Sequence, residues 1–337
     1  MKSIELSDKQ KSKVYIASGE SHIGLAQDTA AAMGMTLGED VRKTFASGEK
    51  YFRYGKSIRG MHLLAIQSLV QTSHGSVNDS LMELMVMIDA ARRGSASEIT
   101  VVMPYMAYGR QDRKAQGREP ISAATVINML QGAGANRLVS VDMHSAQTQA
   151  VFDGPFDHLT AEGLIRKTLR KRTEQNPDEF VIVSPDGGRQ KVAEHYASQL
   201  NLDVAHIPKS RSRADSSVIS RPHDIEGVNG RTAILIDDMI DTAGTLVSAA
   251  DTLQNSGATG VIAMATHGLF SDPALERLKN SAITELAVVD TIPLYNAQEA
   301  MGDRLTVISS APMLASALAA IATNRSVSKL FHGENYS

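Results

Sequence analysis

Six short apolar runs, each closing on polar residues and separated by longer amphipathic stretches, constrain this chain more than any other feature. They are Ile99–Tyr105, Arg137–His144, Phe180–Asp186, Ala233–Asp238, Gly260–His267 and Glu285–Asp290. An apolar run of this length without alternation reads as a strand buried on both faces, the habit of parallel sheets. Between the runs, Ser80–Arg93 sets Leu81, Leu84, Met85 and Ile88 at helical spacing. Ser122–Gly132 and Gly244–Gly257 each run from a small polar start to a glycine stop. Strands alternating with helices predict an α/β fold, a central mainly parallel sheet flanked by helices.

A chain of 337 residues suggests about two domains, each large enough for its own core. With 34 Lys and Arg against 37 Asp and Glu, the net charge of -3 argues against a dedicated nucleic-acid binder, which needs concentrated positive charge. The absence of cysteine excludes disulfides and thiolate metal sites. No apolar run approaches the roughly 18 residues of a membrane span, and polar Met1–Lys13 does not resemble a signal peptide, so the predicted location is cytoplasmic. Aromatic residues make up 4% of the chain and tryptophan is absent, which predicts an aliphatic, methionine-rich core.

Leu130–His144 and Leu253–His267 echo one another over fifteen residues, sharing Leu, Gln, Gly, Ala and a terminal His in register. Any helix–glycine–strand unit gives some such likeness, but the recurring order of elements points to a duplicated domain. The polar turns preceding the two helices differ, GRQDRKAQGREP in one and DDMIDTAGT in the other, which predicts different ligand duties.

The most informative motif is Ala233–Leu246, AILIDDMIDTAGTL. An apolar strand delivers Asp237 and Asp238 at its end; Asp241 follows, then the small turn Thr242, Ala243, Gly244 and Thr245, then a helix. Small residues expose backbone N–H groups, which together with a helix N-terminus favour a phosphate. The carboxylates can bind sugar hydroxyls or a hydrated Mg²⁺. The motif therefore suits both ends of a phosphorylated sugar. Elsewhere, residues alone leave the reading open. GRQDRK (Gly109–Lys114) and the start of Pro208–Gly230, PKSRSR, read as solvated charged loops, and a lone His144 reads as structural.

DDMIDTAGT resembles the ribose-phosphate loop of type I phosphoribosyltransferases and of ribose-phosphate pyrophosphokinases. FASGE (Phe45–Glu49), SIRG (Ser57–Gly60), NDSLMELMVMIDAARRGSA (Asn78–Ala96), GRQDRK, REPISA (Arg118–Ala123), VDMHSAQTQAVFDGPFDHL (Val141–Leu159) and SVSKLF (Ser326–Phe331) resemble the pyrophosphokinases specifically. The likeness runs from about Lys13 to Phe331. It implies two tandem phosphoribosyltransferase-like domains. One would be Lys13–Leu164, with the tail from 311 to 337 packing back on it; the other would be Ile165–Ser310, carrying the sugar-phosphate site. It also implies transfer of the β,γ-pyrophosphoryl group of ATP to ribose 5-phosphate, giving phosphoribosyl pyrophosphate and AMP.

The same resemblance implies residue roles. Phe45, Ser47, Gly48, Glu49, Arg110 and Gln111 would contact ATP, with Ser47 standing where the family usually has Asp or Asn. His144 and Asp186 would hold Mg²⁺, and Lys209 and Arg211 would be the catalytic Lys-x-Arg pair. Asp237, Asp238 and Asp241 to Thr245 would bind ribose 5-phosphate. Ser57, Arg59, Ser326 and Ser328 match positions where phosphate activates and ADP inhibits, and the family assembles as hexamers. The competing readings are a phosphoribosyltransferase, which would consume the product, and a catalytically silent regulatory subunit of the same complex. The FASGE turn and the Arg110–Gln111 pair argue against the first, and retention of Lys209, Arg211, His144 and Asp186 against the second.

Overall fold

The computed structural model describes residues 5–185, 189–207 and 225–331. The chain divides into two units. One comprises the described residues of Met1–Ala161, Thr291–Pro293 and Ser309–Ser337, the other those of Glu162–Asp290 and Leu294–Ile308.

The first unit begins with a single helical turn, α1 (Asp8–Lys11). It continues through β1 (Val14–Ser18), α2 (Ile23–Ala32), a hairpin of β2 (Val41–Thr44) and β3 (Lys50–Arg53), and β4 (His62–Ile66). Next come α3 (Val77–Arg93), β5 (Glu98–Met103), α4 (Ser122–Ala133), β6 (Arg137–Val141) and β7 (Phe156–Leu159). The five-stranded sheet has the order β1-β4-β5-β6-β7 and every pairing in it is parallel.

Burial explains why these segments became strands. Leu63, Leu64, Ala65, Val101, Val102, Leu138 and Val139 are fully buried, as helix-covered parallel strands require. On α3 the buried stripe is Leu81, Leu84, Met87, Ile88 and Ala91. Met85, expected on that stripe, is only half-buried.

The second unit comprises α5 (Glu162–Thr173), β8 (Phe180–Ser184), α6 (Gln190–Leu200), β9 (Asp203–His206) and β10 (Thr232–Ile240). It goes on through α7 (Gly244–Asn255), β11 (Gly260–Gly268), α8 (Ala274–Lys279), β12 (Ile283–Val289), α9 (Tyr295–Met301) and β13 (Leu305–Ile308). Its six parallel strands lie in the order β13-β12-β11-β10-β8-β9. From β8 the chain steps outward to β9, then crosses back to lay β10 on the opposite side of β8. The sense of winding therefore reverses between β8 and β10. Such a switch point opens a crevice at the carboxyl ends of the two strands, where ligands of open α/β sheets bind.

After β13 the chain enters α10 (Ala311–Ala322), which belongs to the first unit and packs against α2. Ten consecutive-to-near-consecutive positions of α10, from Ala311 to Ile321, are buried, as expected of a helix that is apolar all round. No helix among the described residues is long and apolar enough to cross a membrane.

The fifteen-residue echo has a local cause. In both copies a glycine of positive φ follows the helix, Gly134 (φ 127) as the C-cap of α4 and Gly257 (φ 88) one residue beyond the C-cap of α7, and the chain then enters an inner strand, β6 or β11. The terminal histidines differ: His144 is exposed beyond β6, whereas His267 is buried within β11.

Candidate active site

The acidic motif lies where β10 meets the switch point. Sequence reading put Asp237 and Asp238 at the strand's end. The strand instead runs on to Ile240, because Met239 and Ile240 are apolar and pair with His267 and Gly268 of β11. The acids thus stand on a strand fixed by its neighbour. The chain leaves at Asp241, and Ala243 adopts the left-handed conformation (φ 59, ψ 5) as N-cap of α7. That conformation costs alanine about 1–2 kcal/mol and marks a turn over-determined by its surroundings. One such restraint is visible: Arg277 Nη1 donates to the Thr242 carbonyl at 3.0 Å. Leu246, Ala249, Ala250 and Leu253 bury the inner face of α7 in the second unit's core.

Sequence reading missed a member of this site. Arg189, at the start of α6, lies across both acids, with Nε 3.2 Å from Asp237 Oδ1 and Nη2 2.6 Å from Asp238 Oδ2. Even so, burial and then the adjacent Asp238 carboxylate push Asp237 up to about 7. The Asp238 amide donates to Asp237 Oδ1 at 2.8 Å. Arg189 stands three residues after Asp186, but nothing in that spacing announces a partner almost fifty residues away.

The other predicted residues fall on three further segments. Phe45, Ser47, Gly48 and Glu49 form the tight turn of the β2–β3 hairpin. The Phe45 amide donates to the Glu49 carbonyl at 2.9 Å, and Gly48 takes φ 91. The Ser47 hydroxyl donates to Glu49 Oε2 at 3.0 Å, so Ser47 shapes this turn. The Phe45 ring is 40% exposed, held edge-on by Tyr51 with centroids 6.0 Å apart and capped by Lys43. These side-chain contacts of Phe45, Ser47 and Glu49 stay within their own hairpin. Arg110 and Gln111 are exposed in the loop after β5, where the Ser122 hydroxyl donates to Gln111 Oε1. His144 is exposed after β6; the preceding turn is fixed by Asp142, at φ 36, which accepts from the Ala161 amide, and by the Met143 amide donating to His158. Because β5 and β6 are adjacent and parallel, Arg110, Gln111 and His144 share one edge of the sheet.

Ser57 and Arg59 are exposed on either side of buried Ile58, before β4, and Ser326 and Ser328 are exposed after α10. Asp186, Lys209 and Arg211 lie outside the described residues. Among the described residues no group of three or more His, Asp or Glu side chains stands ready as a complete metal cage. The carboxylates of Asp237 and Asp238, bridged by Arg189, offer oxygen chemistry that suits sugar hydroxyls or the waters of a hydrated divalent cation.

Comparison with known proteins agrees with this geometry. The profile for the N-terminal domain of ribose phosphate pyrophosphokinase matches residues 14–134, and that for the phosphoribosyl synthetase-associated domain matches residues 220–332. A ribose-phosphate pyrophosphokinase of Bifidobacterium longum is 41% identical over 345 residues, spanning 100% of this chain and 99% of that protein. The chain belongs to the ribose-phosphate pyrophosphokinase family. A family member from Caldanaerobacter subterraneus is 43% identical, covering 94% of this chain and 97% of its own. The crystal structure of phosphoribosylpyrophosphate synthetase from Mycobacterium smegmatis matches with a TM-score of 0.83 at 40% identity, covering 93% of this chain and 99% of that one. The phosphoribosyltransferase-like α/β architecture expected of a ribose-phosphate pyrophosphokinase is thereby shown, and the chain is an enzyme of the transferase class.

Proposed function

We propose that this chain carries out the ribose-phosphate pyrophosphokinase reaction with its sugar-phosphate site on β10 and α7. The observation that carries the assignment is the pairing of acids and helix N-terminus at the β8/β10 switch point. Asp237 and Asp238 accept hydrogen bonds from the ribose hydroxyls. The N–H groups of Thr242 to Thr245 and the α7 dipole receive the 5-phosphate. The anomeric oxygen attacks the β-phosphorus of ATP, the bond between that phosphorus and the α,β-bridging oxygen breaks, and AMP leaves.

Positioning and charge neutralisation supply most of the acceleration in such a transfer. Phe45, Ser47, Gly48 and Glu49 hold the adenine, with Arg110 and Gln111 supplying further hydrogen bonds to ATP. Lys209 and Arg211 meet the charge that builds on the moving group. Among the described residues no general base is evident; the anomeric hydroxyl, aligned beside a neutralised triphosphate, passes its proton to water as the bond forms. Asp186 and His144 would hold Mg²⁺, which would supply charge neutralisation of the triphosphate. Ser57, Arg59, Ser326 and Ser328 supply hydroxyls and a guanidinium suited to an oxyanion, and are assigned to phosphate and ADP in a homohexamer.

The test is formation of AMP and phosphoribosyl pyrophosphate that requires ATP, ribose 5-phosphate and Mg²⁺ together. Lys209→Ala is expected to lower kcat by at least about a hundredfold while ribose 5-phosphate binding stays within about threefold. Unchanged turnover removes Lys209 from the mechanism; consumption of phosphoribosyl pyrophosphate with a free base supports the phosphoribosyltransferase reading instead.

A further inference from the structure

We propose that Arg277 is part of the pocket for the 5-phosphate of ribose 5-phosphate. The inference rests on assigning that phosphate to the turn before α7. Ala274 and Leu278, one helical turn apart on α8, are both fully buried in the second unit's core. Arg277 is therefore carried on the exposed flank of a helix whose own position is fixed. From there Nη1 reaches the Thr242 carbonyl at 3.0 Å, and a Cβ built on Gly244 would stand 3.4 Å from the same nitrogen. The guanidinium thus lies over the opening turn of α7, whose first N–H groups have no acceptor within the helix.

Charge sharpens the point. A carbonyl partner occupies one of five guanidinium N–H donors and leaves the positive charge uncompensated. Among the described residues no carboxylate forms an ion pair with Arg277; its hydrogen bond runs to the Thr242 carbonyl. A solvated surface arginine gains little from tying its side chain to a carbonyl in this way. One that must meet a phosphate gains a fixed orientation, because the planar fork can hold the carbonyl with one arm and an oxyanion with the other. The phosphate would then sit between helix N–H groups on one side and a guanidinium on the other. Arg277 also clamps the strained left-handed Ala243 through its neighbour, so the cradle is built before the sugar arrives.

The test is steady-state kinetics of Arg277→Gln and Arg277→Lys, read as AMP formation with each substrate varied in turn. For R277Q the KM for ribose 5-phosphate should rise by at least about tenfold, with the KM for ATP within about twofold and the thermal midpoint unchanged. R277K keeps the charge and loses the fork, so its KM should lie between the two. Added salt should weaken ribose 5-phosphate binding more in the parent protein than in R277Q. The proposal is overturned if the KM for ribose 5-phosphate stays within about twofold, or if kcat falls with that KM unmoved, which would make Arg277 a prop for the turn alone. Should R277Q not fold, R277K decides by the same split. Should the parent protein yield no AMP, the reaction reading fails by itself. Calorimetric titration of ribose 5-phosphate into parent and variant then still decides Arg277: a weaker variant sustains it and equal affinity removes it.

Discussion

At the scale of single residues, the acids of the motif were legible and their partners were not. Three carboxylates within five residues, followed by a small turn, are a local signal. Arg189 and Arg277 reach the same site through β8 and α8, and only the sheet order brings those elements to β10. Buried Glu83 escaped notice for the same reason. It accepts from Gln67 at 2.6 Å and from the Glu20 amide at 2.9 Å, and burial raises its carboxyl above the usual range. Asp237 gives a titration test. Folding raises it from 3.8 to about 7, so between those values the folded chain holds a proton that the unfolded chain has released. Its contribution to stability is full below pH 3.8 and is lost as pH rises to about 7. Thermal midpoints of the ligand-free protein measured across that window should carry this downward contribution, and Asp237→Asn should remove it. Profiles of identical slope for parent and variant would count against the assignment.

At the scale of elements, what the sequence made visible depended on contrast. The strands buried on both faces stood out as apolar runs, and α4 and α7 stood out through their small starts and glycine stops. β9 did not, since Asp203 and Val204 of this edge strand are exposed and its pattern carries little contrast. Nor did the β2–β3 hairpin, a separate two-stranded sheet that is mostly exposed. The end of β10 was misjudged because two acids interrupt an apolar strand without terminating it. The polar stretch Arg170–Glu179 is the end of α5 followed by a single turn. For α7 the elementary prediction concerns its anchor. Leu253 is fully buried, and Leu253→Ala should cost about 2–5 kcal/mol of stability, read by urea unfolding. At temperatures where the variant remains folded, the KM for ribose 5-phosphate should be unchanged, because the opening turn of α7 is held separately by Arg277. A large rise in that KM would mean that the helix transmits the loss to its N-terminus.

At the scale of the whole molecule, the two-part α/β plan followed from length and alternation, whereas the return of the chain to its first unit has no local signal. Ala, Leu and Met in α10 announce a buried helix without saying which core receives it; contact with α2 answers that. A chain cut after Ile308 is predicted to lose cooperative melting of the first unit, checked by calorimetry and circular dichroism. A melting curve like that of the uncut chain would show that the unit stands without α10. The circuit also has a temporal meaning. A ribosome making this protein emits β1 through β7 early, yet their missing helix is translated only after every strand of the second unit. The part begun first is finished last, so a product stalled before Ala311 would expose the apolar surface of the first unit that α10 covers.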